Sequence, residues 1–551
     1  MDEIFQILDE CHLTGEPPNE TETDSVENVQ RDIENLLANM RCSIGSVEYS
    51  SLNKMLAVCY LKIGNELEAI CHLIESHAVI LRQHILHRSV KRKMREEVLC
   101  EQQSSGLVPS YVGFIANNVN KVNSLKEKLV ELPKEWYMIQ ITGQHKPVDI
   151  CEFSEMNRMH EIHITILPTG TEQREPLCIT LPKPKLQSSY DVCYEIQKLL
   201  SNNKSDLTAT YANRQLYWQM RERQNKTLKA AVQALEKEWL REWRILFMAD
   251  PTDKADVVKD IVEMIDKLLS DYRGSISKRS EWLLKRVALA ACFLTKGEIA
   301  RAIKYVLAEH TKLAHNVILS IFGKLPCIQQ LKDARRGTLV LIVDEHMDYV
   351  PFESMEILSY QPVTRFPSVH IAYALFKEHE STMENGFKVI KEKDNMGTWI
   401  INPSGNLDKM GERMSAFAKC WLPKWKMICD VKPNGDAFEN ALINRDILIY
   451  IGHGSGIQYL PPEQIERLRV KSIVMLFGCS SLKLFKIGGR YTPYGISNQY
   501  LIASSPCVIG MLWEVTDLDT DKMTSNFISS WISSPWAEVD DNAWCTDFIM
   551  S

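Results

Sequence analysis

No stretch of the chain approaches the roughly 20 consecutive apolar residues that a membrane span requires. The opening Met-Asp-Glu-Ile-Phe is acidic and runs into no apolar segment, so neither a signal peptide nor a membrane association is expected. Positive charge is not in excess either: 64 Lys and Arg stand against 71 Asp and Glu, a net charge of −7 with pI near 6.1. That balance argues against a general nucleic-acid surface. The fifteen cysteines include no CxxC pair and no Cys/His cluster at zinc spacing. They read as reduced, mostly buried thiols of an intracellular protein, and no metal or cofactor is expected. What remains is an ordinary globular composition, 45% hydrophobic and 25% charged over 551 residues, with room for two to four domains.

Residues 13–30 are polar and acidic, and a loose segment is expected over 1–30. Helical patterning begins near Arg31. The run Met55-Leu-Ala-Val-Cys-Tyr60-Leu-Lys-Ile-Gly64 has the spacing of one helical-repeat unit, so 31–132 is expected to be helical, either repeat-like or a plain bundle. The basic run 87–95 fits a solvated helix face or a nuclear signal. After Pro133 the period changes to β-rich runs near 136–142, 161–167 and 176–181. A long helix follows, with Leu228, Val232, Leu235, Trp239 and Trp243 as its stripe and both tryptophans as core. Further helices are expected over 252–272 and 280–321. This 133–336 region reads as an α+β domain. From Gly337, buried-strand candidates at 338–343, 398–401, 446–451, 472–477 and 507–512 alternate with helices, which predicts one mostly parallel sheet over 337–551.

Two of those strands end in reactive residues. Asp446-Ile-Leu-Ile-Tyr-Ile-Gly-His453-Gly-Ser-Gly456 and Ser472-Ile-Val-Met-Leu-Phe-Gly-Cys479-Ser-Ser481 flank a helix start at Pro462, forming a βαβ unit. Its right-handed crossover brings both carboxyl ends to one sheet edge, where open α/β folds place their sites. There a histidine can take a thiol proton and return it to a leaving amine. The N–H groups of Gly454 and Cys479 are candidate oxyanion donors. Ser480 and Ser481 are expected to open a helix whose positive end favours thiolate. Structural readings of the same residues are a buried thiol and a Gly-His-Gly turn. A phosphate loop at 452–456 is disfavoured, because Pro461-Pro462 intervenes before any helix and no Lys-Ser/Thr closes it. Ser455 lacks the flanking glycines of a nucleophile elbow.

Ile449-Tyr-Ile-Gly-His-Gly-Ser-Gly456, Leu476-Phe-Gly-Cys-Ser-Ser481 and Gly510-Met-Leu-Trp-Glu-Val-Thr-Asp-Leu-Asp519 together resemble the protease domain of separase. Val350-Pro-Phe-Glu-Ser-Met355 and Ile401-Asn-Pro-Ser-Gly-Asn-Leu407 support the resemblance, which covers roughly residues 130–535. It implies a caspase-like α/β fold and a cysteine endopeptidase with His453 as general base and Cys479 as nucleophile. It further implies cleavage after Arg in Glu-x-x-Arg sites of the cohesin kleisin at anaphase, and a securin-type inhibitory chaperone. Cytoplasmic location with mitotic access to chromosomes is expected. Asp517 and Asp519 match acidic positions expected to bind the P1 Arg, with Asp519 favoured. The alternative is that Thr516, Asp517 and Asp519 simply cap a helix, and both roles can coexist.

Three departures from the family pattern qualify these expectations. Glu514 stands where the family usually has Asp. Only about 130 residues precede the resemblance, which suggests a separate helical partner subunit or a minimal form. No helix and final strand are evident after the Trp531 region, which suggests a truncated chain with an exposed sheet edge. A non-proteolytic scaffold that binds securin or cohesin regulators is therefore the rival reading. Glu155-Met-Asn-Arg158 and Glu238-Trp-Leu-Arg241 fit the cleavage pattern internally, the first as a possible self-cleavage site.

Overall fold

The structure, a computed structural model, describes residues 20–39, 46–96, 106–114, 120–145, 159–171, 174–184, 192–390, 396–485, 487 and 491–532. A helix over Glu20–Asn39 occupies part of the segment expected to be loose. The acids around it mask a stripe of Val26, Val29 and Ile33, buried against Met55, Leu56 and Cys59. The next helix pair, Ser46–Ile63 and Glu66–Glu75, turns at Gly64 with φ +86°, a conformation that disfavours any residue with a Cβ. Asn65 caps the second helix by accepting the Glu68 N–H.

Five strands build the first sheet, in the order β3-β2-β1-β4-β5. β1 (Trp136–His145), β2 (Met159–Leu167) and β3 (Leu177–Pro182) form an antiparallel meander. β4 (Thr338–Val343) and β5 (Val363–Phe366) extend it in parallel on the other side of β1, with Trp136 opposite Thr338 and Ile141 opposite Val343. Residues 338–343 therefore join this sheet and not the later strands with which the sequence grouped them. A strand buried on both faces carries the same apolar signal in either sheet, so composition does not reveal its neighbours. β5 escapes pattern reading because Arg365 interrupts it; the guanidinium is held by Glu353 at 2.8 and 2.6 Å.

Helices from residues 192–331 cover one face of this sheet, and the amino-terminal helices with Val369–His379 cover the other. The predicted long tryptophan helix ends at Ala234. It passes into a π turn over Leu235–Leu240 and a 3-10 stretch over Arg241–Phe247, with Trp239 and Trp243 in the core as expected. The helical run predicted over 280–321 is broken into separate helices, one of which starts at a capping box between Thr295 and Glu298.

A hairpin of β6 (Met383–Glu384) and β7 (Phe387–Lys388) leads toward the second sheet. That sheet is wholly parallel, in the order β12-β11-β10-β8-β9: β8 (Gly397–Ile401), β9 (Lys426–Cys429), β10 (Ile447–Ile451), β11 (Ile473–Phe477) and β12 (Val508–Gly510). Trp399, Ile449 and Met475 pack beneath the helices Asp408–Trp421 and Asp517–Trp531. Leu448, Tyr450 and Leu476 pack on the opposite face against Gly435–Ile443 and Ile496–Ile502. Both faces are covered, as parallel sheets require.

Buried charges tie the amino-terminal helices to the carboxyl end of β4. Lys54 pairs with Asp344 and also donates to the Gly143 carbonyl. Arg82 pairs with Glu75 at 3.0 Å, and His370 lies 3.1 Å from the same carboxylate. Glu345 is buried beside Asp344 and accepts the Ala78 N–H at 2.9 Å. Burial first, then the Asp344 charge, push the Glu345 carboxyl up to about 7. An acid raised in the folded state stabilises it when neutral, so that contribution is whole below the unfolded value near 4.3 and is lost as pH rises through 7. Glu345→Gln should therefore raise the urea midpoint relative to the parent protein at pH 8, the gap closing toward pH 5. An offset equal at both pH values would contradict this.

Candidate active site

β10 and β11 are parallel neighbours, with Ile451 opposite Phe477, so the turns that follow leave the sheet side by side. Gly478 has no room for a side chain: a Cβ there would lie 2.1 Å from the Gly454 carbonyl oxygen and 2.5 Å from that of Gly452. The turn bearing His453 and the turn bearing Cys479 thus touch backbone to backbone, and Gly452 N–H donates to the Phe477 carbonyl at 3.4 Å. Gly454 adopts φ +61°, which favours glycine, in open space on the side where a Cβ would project. Within the described residues, no hydrogen bond takes up the N–H of Gly454 or of Cys479, the two expected oxyanion donors.

His453 is exposed, with its backbone carbonyl accepting from the buried Tyr450 hydroxyl at 2.7 Å and from Gln458 at 3.4 Å. Its Nε2 lies 3.0 Å from Oδ1 of Asn406, on the loop after β8. Cys479 is half-buried and its Sγ donates to the Val515 carbonyl at 3.3 Å.

The helix expected to open at Ser480 is absent, because Ser480 takes a left-handed φ of +50°. Its N–H is drawn to the Trp513 carbonyl, while Ser481 Oγ donates to Leu476 and accepts from Met511 N–H. The next helix starts only at Ile496. Among the described residues, no helix therefore begins directly after Cys479.

Residues 513–515 embrace the cysteine turn and are themselves held from the first module, that is, the first sheet with the helices that cover it. Glu514 accepts from Ser480 Oγ at 3.0 Å and from the amide of buried Asn203 at 2.9 Å. Asn203 in turn accepts from Arg221 at 3.1 Å, and the Arg221 guanidinium lies 5.6 Å from the centre of the Trp513 ring.

Thr516 caps the Asp517–Trp531 helix by accepting the Asp519 N–H, and its hydroxyl donates to Asp519 Oδ2 at 2.7 Å. Asp517 lies 3.2 Å from Nη2 of Arg413, which also pairs with Asp521. Burial raises the Asp521 carboxyl against the pull of Arg413. The capping geometry is thus present, and Asp517 already holds an arginine side chain. Sequence reading missed Asn406, Asn203, Arg221 and Arg413. The first lies in the Ile401–Leu407 motif, whereas nothing in the local pattern marks the other three.

Among the internal Glu-x-x-Arg matches, 155–158 lies outside the described residues, as does 533–551. Residues 238–241 are helical, with Trp239 and Leu240 buried. Among the described residues no group of three His, Cys, Asp or Glu side chains could hold a metal ion, and no helix is long and apolar enough to cross a membrane.

The sequence pattern of the family described as "Separin, protease domain" matches residues 160–520, more than half of the chain. The chain belongs to the separin family. It is 29% identical over 381 residues to separin of Mus musculus, covering 67% of this chain and 17% of the mouse protein. It is also 32% identical over 197 residues to separin of Emericella nidulans, covering 36% of this chain and 9% of that relative. This separin-family chain therefore spans a small share of the relatives it matches. A solved Saccharomyces cerevisiae separase-securin complex superposes with TM-score 0.70 at 16% identity, over 98% of this chain and 38% of the yeast chain. The caspase-like α/β architecture with a helical amino-terminal region is shared. The likeness of fold also reaches the first 130 residues, which the sequence resemblance left out.

Gly478→Ala tests the contact on which the site depends. With backbone oxygens in the way, the added methyl group should destabilise the second sheet by about 1–3 kcal/mol and abolish any thiol-dependent activity. Unchanged stability in chemical denaturation would show that the turns do not meet.

Proposed function

We propose that this chain is a separase-type cysteine endopeptidase that cleaves after Arg in Glu-x-x-Arg sites of the cohesin kleisin. The observation that carries the reading is the Gly478 contact, which sets His453 and Cys479 on adjoining turns at the carboxyl edge of the second sheet. In this reaction His453 takes the Cys479 proton as sulfur attacks the scissile carbonyl. The N–H groups of Gly454 and Cys479 receive the developing oxyanion. The C–N bond then breaks as the imidazolium gives its proton to the amine, and water hydrolyses the thioester. Asp519, or Asp517 once Arg413 yields it, accepts the P1 guanidinium. A securin-type chaperone is the proposed inhibitory partner, in keeping with the yeast complex of like fold.

The purified chain should cleave a Glu-x-x-Arg peptide and lose that activity on Cys479→Ser. Two substitutions separate pocket from cap. Asp519→Ala should lower kcat/KM for the Arg peptide roughly 100-fold, the loss of a charge-assisted pair worth about 3 kcal/mol. Thr516→Ala should instead cost about 1 kcal/mol of stability and leave Arg preference intact. If the parent protein and Cys479→Ser are equally inert while folded and partnered, the protease reading fails and the scaffold reading stands.

A further inference from the structure

The loop after β8 is more ordered by its own side chains than a simple connection needs to be. Asn402 is fully buried with φ +46°. Its Oδ1 accepts the N–H groups of Asn406 and Leu407 at 3.2 and 3.0 Å, and its amide donates to Asp430. Gly405 supplies a second left-handed position at φ +65°. Asn406 itself is exposed and lies just before the Asp408–Trp421 helix, where an asparagine commonly caps. It does not cap: that helix begins without a side-chain cap, and Asn406 Oδ1 lies 3.0 Å from His453 Nε2.

We infer that Asn406, held by Asn402, is a positioning residue for His453, a role that rests on the His453/Cys479 reading above. An amide oxygen only accepts, so Nε2 must carry the hydrogen, and in the neutral ring Nδ1 is then the free base. The same bond persists when Nδ1 is protonated, so it fixes the ring plane through both proton transfers. The neighbouring strand end β8 thereby contributes to the chemistry of β10 and β11 without touching substrate.

The test compares the full chain with Asn406→Ala, Asn406→Asp and His453→Ala. Peptide turnover is measured, and, independently of turnover, the rate of Cys479 alkylation by iodoacetamide at pH 7 is followed by mass spectrometry of the Cys479 peptide. Asn406→Ala should lower kcat roughly 10- to 100-fold with KM unchanged, and slow alkylation about tenfold, with the thermal midpoint unmoved. Asn406→Asp offers the same acceptor and should recover both rates to within a few-fold. If His453→Ala slows alkylation and Asn406→Ala does not, the positioning role is overturned while the pairing of His453 with Cys479 stands. If neither variant slows it, the pairing fails and the positioning role with it.

Discussion

Two parallel strand ends can share chemistry only if the turns after them stay together, and here one missing side chain keeps them so. Backbone oxygens of Gly452 and Gly454 occupy the volume that any Cβ at Gly478 would need. The positive φ of Gly454 lets the histidine turn fold back into that space. Everything else at the edge refines this contact. Tyr450 and Gln458 fix the His453 carbonyl, Asn406 fixes its ring, and the carbonyls of Trp513 and Val515 receive Ser480 N–H and the Cys479 thiol. The site is assembled from strand ends β8, β10 and β11 and the segment after β12.

The same edge is anchored outside its own sheet. Glu514 joins Ser480 to Asn203, and Arg221 pins Asn203 while lying against Trp513, so helices belonging to the first module brace the segment beside the thiol. The first module is in turn fastened to the amino-terminal helices by Lys54 with Asp344 and by His370 with Glu75, a carboxylate that Arg82 also holds from within those helices. Removing one partner from such a buried pair typically costs about 3–5 kcal/mol. Ile502 of the second module also packs with Leu81, Ile85, Leu107 and Leu375. The helical region is therefore part of the same packed body as the two sheets, consistent with a fold likeness that runs through it.

The placement of His453 and Cys479 at one sheet edge was legible because short β-branched runs ending in small residues mark buried parallel strands, and the carboxyl edge follows from topology alone. The tryptophans at 239 and 243 were legible from spacing, although the π turn that carries the first and the 3-10 stretch that carries the second were not. Other features depend on information that a linear pattern does not hold. The pairing of β4 with β1 is set by what covers each face. The left-handed Ser480 that stops a helix is set by its hydrogen bonds to residues 513 and 514. Thr516 capping Asp519 could be read from their three-residue spacing, whereas Arg413 on Asp517 joins residues 104 apart. Asn406 lay in a motif that was noticed, yet its contact with His453 exists only because Asn402 bends the loop.

The central claim is that His453 and Cys479 form one arginine-directed site. The most direct measurement treats the full chain with a Glu-x-x-Arg peptidyl acyloxymethyl ketone and locates the adduct by mass spectrometry. The account predicts a single thioether at Cys479 that is lost or slowed severely in His453→Ala and competed by an Arg-terminated peptide. Equal labelling in His453→Ala, or label spread over other cysteines such as the exposed Cys420, would contradict it.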